Sequence, residues 1–520
     1  MNSSNGMTLV GMGGYLVVMI AIGLWYARRS NSNVEEYFLA KRSFGPWVAA
    51  LSAEASDMSG WLLMGLPGVA YFTGIGEAFW TALGLFIGTW INWALVAKRL
   101  RSYSQIADNA ITVPEFFSKR FHDKKRVLLA IAALISLVFF SIYVGAQFIT
   151  FGKLFSYLFN ANMTAMVILG AALVMLYTTL GGFWAVGMTD LIQGLLMVGA
   201  LILVVGFGVF HAGGVGGVLE NLKSFPGFLD FFGAASPEMV EGAQKTVNGV
   251  PLFAAEGQKY GLLTIISTLA WGLGYFGMPQ VLVRFMAINR TSNIARSRNI
   301  AVVWCLVAQF AAVCIGLIGR ASMPALLSNG SAAENIFIHL SMNFFPPLAA
   351  GIVISGILAA SMSSCDSFML IVASSLANDI FKDLVKKNSG EVMVMWVARL
   401  TMLLVTVFGV IIAISGSRSI FRVVSYAWAG LGAAFGPLML FSLFWKRTTF
   451  PAAVAGMLTG GVMVALWKNV IAGFGGVFAV YELLPAFVSS CLVIWLVSLF
   501  TEKPSAKIEQ EFEAAKTAEF

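Results

Sequence analysis

Ser52-Ala-Glu-Ala-Ser-Asp-Met-Ser-Gly-Trp61, running on through Leu-Leu-Met-Gly-Leu-Pro67-Gly68, sets two carboxylates, three hydroxyls and three glycines inside an otherwise apolar stretch. At bilayer depth an ionisable side chain costs about 2.5–3.5 kcal/mol on insertion scales. A chain that accepts this cost at Glu54 and Asp57 points to an ion or solute path through the stretch.

The rest of the chain supports the bilayer setting. Of its 520 residues 58% are hydrophobic and 11% charged, against about 25% charged in a soluble domain, and mean hydropathy is +0.83. We expect an all-α integral membrane protein with about thirteen transmembrane helices, the first near 7–27 and the last near 480–501, each at about 20 residues long enough to span. Basic residues cluster between alternate segments, as at Arg28 and Arg29, Lys98, Arg99 and Arg101, Lys124 to Arg126, Lys386 and Lys387, and Lys446 and Arg447. The positive-inside rule then puts the N-terminus outside and the C-terminus in the cytoplasm of a multi-pass plasma (inner) membrane protein. The net charge of +8 follows this topology and implies no nucleic acid. Charges follow the first apolar run instead of preceding it, so that segment is expected to stay as a helix and not be cleaved. Cys305, Cys314, Cys365 and Cys491 sit in apolar segments without metal or disulfide spacing, and with three histidines the chain suggests neither an enzyme nor a cofactor.

Residues 1–501 read as one polytopic domain and 502–520 as a short cytoplasmic tail. Two segments look discontinuous. Segment two (46–70) carries Pro46, Ser56, Ser59 and Gly60, and segment seven (259–282) carries Trp271-Gly-Leu-Gly-Tyr-Phe-Gly-Met-Pro279. Backbone groups freed at membrane depth are tolerated where they line a cavity. The two breaks lie five segments apart, which orients them oppositely. Such an offset predicts a 5+5 inverted repeat, with about 46–211 and 259–445 as its halves and the broken helices meeting at a midplane site.

Each polar motif has a bland and a sharp reading. Asp57 is either a structural acid or part of a cation site, and the flanking Ser56, Ser59 and Gly60 favour the site. Glu54, one turn earlier, is a proton carrier or a salt-bridge partner near the inner mouth. In segment nine (346–375), Ala360, Ser363 and Ser364 share a face and offer oxygen ligands suited to a hard cation, while Asp366 and Ser367 lie slightly round the helix. Trp271, Tyr275 and Pro279 recur every four residues as a potential aromatic wall. Their Gly-rich run contains GxGxxG, but no strand precedes it, so a dinucleotide site is excluded. Asp190 at the start of segment six is a helix N-terminal acid or a ligand. The run Ser425-Tyr-Ala-Trp-Ala-Gly430 reads as a face for close helix approach.

With these blocks, and Arg284-Phe-Met besides, the chain resembles the solute:sodium symporter family, and within it the sodium/proline symporters, over about residues 10–500. The resemblance implies a leucine-transporter-like core and a sodium site between the second and ninth helices. Its ligands would be the carbonyls of Ala55, Met58 and Ala360 and the hydroxyls of Ser363 and Ser364, with Asp57 at the essential acidic position. It implies a solute site of Trp271, Tyr275 and Pro279 with Ser59, Gly60 and Tyr143, and a coupling role for Arg42. Glu54 stands where many proline carriers have glycine, and Asp366 where many have an uncharged residue. In some members the positions of Asp190, Asp366 and Ser367 contribute to a second sodium site, so a second cation site for Na⁺ or H⁺ is expected there. The sequence therefore predicts a sodium-coupled symporter importing L-proline by alternating access, with L-proline, Na⁺ and the bilayer as its partners. The alternative is Na⁺- or H⁺-coupled symport of another small amino or organic acid.

Overall fold

The computed structural model describes residues 3–30, 34–178, 182–385 and 390–520. Of the basic residues used for topology, Lys386, Lys387 and the side chains of Arg28 and Arg29 lie outside the described residues.

Helix α1 (Ser3–Ser30) is followed by α2 (Pro46–Asp57). Proline at the first turn of α2 gives up an N–H that has no helical partner there anyway. The helix stops at Asp57 because Met58 turns to φ −79°, ψ 62°. The chain resumes as α3 (Trp61–Thr73), opening on a π-type turn at Trp61–Gly65, and ends at Gly74, whose φ of 87° suits a residue without Cβ. Next come α4 (Ile75–Ile106), α5 (Val113–Arg120), α6 (Val127–Phe159), α7 (Met163–Thr178), α8 (Phe183–His211) and α9 (Gly214–Lys223). Thr112 caps α5 by accepting from the N–H of Glu115. Three two-stranded antiparallel ribbons lie between Gly233 and Lys259. Then α10 (Leu262–Gly277), tightened to 3₁₀ geometry from Ala270, meets α11 (Pro279–Ala287) at a 45° bend. The chain closes with α12 (Ile294–Ser322), α13 (Ile336–Phe344), α14 (Pro347–Ser374), α15 (Glu391–Ser415), α16 (Ile420–Phe444), α17 (Phe450–Asn469), α18 (Leu483–Phe500) and α19 (Ala506–Thr517).

Among the described residues ten helices are long and apolar enough to cross a membrane, or eleven if the bent pair α10–α11 counts as one span. Thirteen were expected. The difference lies in two places. Segment two divides into α2 and α3, neither of spanning length alone, and Met163–Leu176 of α7 is too short by the same measure.

Helices α14 and α16 form the buried centre, and α1, α17 and α18 present much of their surface outward. Small residues let backbones meet. A Cβ on Gly88 of α4 would strike the backbone of Gly272 in α10, and one on Gly460 of α17 would strike that of Ala433 in α16. The tail is no loose appendage. Ile508, Phe512 and Ala515 of α19 are buried, the Phe512 ring lies beneath the Arg99 guanidinium (5.1 Å), and the Thr291 N–H donates to the Phe520 carbonyl (2.8 Å).

Candidate functional site

The break after Asp57 frees backbone oxygen. In an unbroken helix the Ser59 N–H would bond the Ala55 carbonyl, but here it bonds that of Asp57 (2.9 Å), and the Gly60 N–H donates to Gln147 Oε1 (3.0 Å) on α6. The Ala55 carbonyl instead accepts from Ser363 Oγ of α14 (2.8 Å), which also reaches the Ala360 carbonyl (3.1 Å). Ser364, fully buried beside it, makes no hydrogen bond with its hydroxyl. An orphan buried hydroxyl costs about 1–3 kcal/mol. Helices α2 and α14 thus meet through two carbonyls and two hydroxyls, one of them spare. Close approach of the break to α6 depends on Gly60, where a Cβ would come within 2.5 Å of Thr150 Oγ1.

Asp57 lies on the neighbouring side of the break. Gln280 Nε2, in α11, donates to its Oδ1 (3.1 Å), and the Tyr143 hydroxyl donates to its backbone carbonyl (3.4 Å). Asp57, Met58, Trp61, Tyr143, Trp271, Tyr275 and Trp428 are among the residues that line a small cavity of about 10 Å³. That is room for about one water, far below the several hundred Å³ typical of small-molecule pockets. On its far side an open vestibule of about 860 Å³ is lined by Glu77, Tyr260, Glu334, Arg418, Arg422 and Glu482 among others, and floored by Trp271 and Phe421. Trp271 stacks on Tyr481 (5.1 Å) and packs against Phe421 (5.4 Å) and Trp61 (5.5 Å), and Trp428 Nε1 holds its carbonyl (2.9 Å). Trp271 lines both the vestibule and the inner cavity, with Trp61, Phe421 and Tyr481 packed around it.

Pro279 does not join this group. Tight winding from Ala270 and the bend at Met278 carry it away from Trp271 and Tyr275, and it lines a separate crevice with Phe38 and Phe183. A spacing of four aligns side chains only while the helix stays α. Ser59 Oγ turns back to accept from the Trp61 N–H (3.3 Å).

Asp190, Asp366 and Ser367 do come together, around a residue to which the sequence assigned no role. Arg284 of α11 donates from Nη2 to Asp190 Oδ2 (3.1 Å) and Ser367 Oγ (2.6 Å), and from Nε to Ser52 Oγ (3.0 Å). Ser52 in turn donates to Asp190 Oδ2 (2.6 Å), and the Asp366 carboxylate acts electrostatically on the same guanidinium. The pair is fully buried and ties α2, α8, α11 and α14.

Arg42 anchors the opposite end from the vestibule. Its guanidinium donates to the Met286 carbonyl (2.8 Å), Ser104 Oγ (3.0 Å), Asn109 Oδ1 (3.0 Å) and the Ala110 carbonyl (2.7 Å). Phe44 pairs with the chain beyond α11 there, and Arg101 Nε donates to the Ile288 carbonyl (2.6 Å). Glu54 makes no salt bridge among the described residues. Its hydrogen-bond donor is Trp93 Nε1 on α4 (3.4 Å).

A sequence profile of the sodium:solute symporter family matches residues 37–460. The chain is 39% identical to the sodium/proline symporter of Escherichia coli (strain K12) over 505 residues, 96% of this chain and 94% of that one. This chain belongs to the sodium:solute symporter family. The symporter is also 38% identical over 498 residues to the osmoregulated proline transporter OpuE of Bacillus subtilis (strain 168), covering 96% and 95% of the two chains. Its fold matches a Na⁺-coupled sialic acid symporter solved in a substrate-bound outward-open state, with TM-score 0.74, 19% identity and 96% and 99% coverage. MhsT in complex with L-phenylalanine shares the fold more distantly, with TM-score 0.52, 15% identity and 87% and 97% coverage.

Several residues of the candidate site escaped the sequence reading: Gln147, Gln280, Phe421 and Tyr481, while Arg284 stood in it only as part of a family block. A faint signal existed for some. Gln147 follows Tyr143 by four, and Gln280 and Arg284 are likewise four apart in an apolar helix. Phe421 and Tyr481 lie far away in sequence, and nothing local marks them as partners of Trp271.

Proposed function

We propose that this symporter imports L-proline by alternating access, driven by inward movement of Na⁺. The observation that carries the Na⁺ reading is the α2–α14 crossing, where the Ala55 and Ala360 carbonyls and the Ser363 and Ser364 hydroxyls gather with one buried hydroxyl unpaired. Na⁺ there, with Met58 O as a further ligand and Asp57 close by, would tie the broken helix to α14. That tie orders the aromatic pocket of Trp271, Tyr275 and Tyr143, with the Ser59–Gly60 break at its edge. Ion and solute then raise each other's affinity, as linkage requires. Proline as the solute rests on relatives named for proline transport at 36–40% identity over nearly the whole chain, and an apolar ring suits the aromatic walls.

The vestibule is the outer approach, and the Arg42 network with α19 is the inner seal. Entry of proline requires the four-ring lid to part and the small cavity to widen. Counting α2–α3 and α7 as spans gives thirteen crossings of the plasma membrane in one domain over 1–501, with the N-terminus outside and the tail 502–520 in the cytoplasm. Residues 46–211 and 259–445 form the two inverted halves. The chain acts as a carrier and not as an enzyme. Arg284 already supplies the positive charge that a second cation would bring to Asp190, so we assign the Asp190–Asp366–Ser367 group to an internal tie. Pro279 acts by breaking α10 from α11.

Proteoliposomes under an inward Na⁺ gradient test the reading with radiolabelled L-proline, K⁺ and pH gradients as controls, and Asp57→Ala as the negative. Na⁺-driven uptake lost in the variant is the expected result. Uptake driven by a pH gradient alone would overturn the Na⁺ assignment, and absence of proline uptake under any gradient would overturn the substrate.

A further inference from the structure

Around Glu54 of α2 lies a second cluster of buried polar groups, of which the Na⁺ reading uses only Asp57. Glu54 and Asp57, 2% and 4% exposed, stand one turn apart there, and each acts electrostatically in the same surroundings. Asp57 has the Gln280 donor described above. Glu54 has only Trp93 Nε1 at 3.4 Å, its Oε2 makes no hydrogen bond, and among the described residues no Lys, Arg or His pairs with it.

The amides around it repeat one pattern. Asn92 uses its nitrogen on the Tyr275 carbonyl (3.0 Å), Gln280 on Asp57 (3.1 Å) and Gln309 on Met58 Sδ and Cys305 Sγ (3.7 Å each). All three leave their oxygens, Asn92 Oδ1, Gln280 Oε1 and Gln309 Oε1, without a donor, and none of the three residues is more than 2% exposed. The cluster therefore has a surplus of acceptors and a surplus of negative charge. Turning over the Gln309 amide would supply one donor and leave the rest of the surplus in place. A lone buried anion is costly unless a cation accompanies it. One proton would satisfy one acceptor. A hard cation takes several oxygens at once.

We propose that this cluster is a second Na⁺ site, with Glu54 as its anionic ligand and the side-chain oxygens of Asn92 and Gln309 turned to the ion. It lies between α2, α4 and α12, and is separate from the Asp190–Arg284 pair. The proposal rests on the Na⁺-coupled proline import argued above. The symporter then carries two Na⁺ per proline. The extra charge raises attainable accumulation about 50-fold per 100 mV of membrane potential.

The test pairs two measurements on the full-length protein. One is the ratio of radiolabelled Na⁺ to radiolabelled L-proline entering proteoliposomes at clamped potential. The other is Na⁺-dependent thermal stabilisation of purified protein without solute, fitted for cooperativity. Wild type is expected to show a flux ratio of two and cooperative stabilisation. Glu54→Gln and Gln309→Leu are each expected to show a ratio of one and non-cooperative stabilisation. The second variant keeps the test alive should the first fail to fold. A ratio of one in wild type, or a ratio of two kept in both variants, overturns the proposal. So does Na⁺-independent uptake driven by a pH gradient and lost in Glu54→Gln, which would make the occupant a proton. If proline does not move at all, the substrate reading fails, while the solute-free titration still decides the site.

Discussion

At the scale of single residues, the two serines at the α2–α14 crossing differ in an instructive way. Ser363 spends its hydroxyl on the Ala55 carbonyl, and Ser364 keeps its own unspent. Ser364→Ala should therefore leave the resting fold as stable as before or slightly more so. It should raise the Na⁺ concentration for half-maximal uptake roughly tenfold, from the loss of about 1.5 kcal/mol of interaction with a charged partner. A Na⁺ titration of uptake beside a thermal melt separates the two effects, and an unchanged Na⁺ requirement would remove Ser364 from the ligand set. Arg284 presents the opposite case. Arg284→Met leaves Asp190 buried without its cation, which costs about 3–5 kcal/mol, so the melting temperature should fall steeply. The double variant Arg284→Met with Asp190→Asn should recover much of the loss. A double variant no more stable than the single one would show that the pair is not the reason for the arginine.

Among the elements, the breaks matter more than the helices. Helix α2 stops where Ser59 and Gly60 find partners off the ladder, and α10 stops where tight 3₁₀ winding runs into Pro279. The α2 break lies against α6 and α14, and the end of α10 lies where α4 and α16 pass closely. Gly88 and Gly272 touch backbone to backbone, so no flexible side chain can yield to an added methyl. Gly88→Ala should cost about 1–3 kcal/mol by overpacking and impair uptake by holding α10 away from α4. Gly199 on α8, with open space about it, is the control, and Gly199→Ala should be neutral or mildly stabilising, since alanine is the better helix former. Thermal melts of the two variants in one detergent check both signs.

Over the whole molecule, the two ends of the bundle are unequal. One opens into a vestibule of about 860 Å³ that stops at an aromatic floor. The other is shut by Arg42, by the Phe44–Ile288 bridge and by the C-terminal helix, whose Phe512 is 2% exposed between Arg99, Arg120 and Tyr103. Phe512→Ala should cost about 3 kcal/mol and free the tail, read as faster cleavage after Lys507 and Lys516 by limited proteolysis. Cleavage at the wild-type rate would show that the tail is held by its polar contacts alone, Glu519 to Lys98 (2.8 Å) and Ser102 to the Ala518 carbonyl (2.9 Å) among them.

Composition, spacing and charge placement alone determined that this chain is a helical membrane protein, that residues 52–68 and 357–367 hold its polar centre, and that glycine and proline mark where helices loosen. Those properties are local: apolar length, hydroxyls on one helix face and backbone propensity are all written within a few turns. Tertiary structure decided what lies across from them. It brought Arg284 between Asp190 and Ser367, turned Pro279 away from Trp271, left a cavity of only about 10 Å³ beside Asp57, set Phe421 and Tyr481 against Trp271, and gave Glu54 a tryptophan N–H instead of a basic partner. Each of these depends on which faces of distant helices meet. A buried charge or hydroxyl acquires its meaning from that neighbour, because in a low-dielectric interior no solvent stands ready to supply the missing partner.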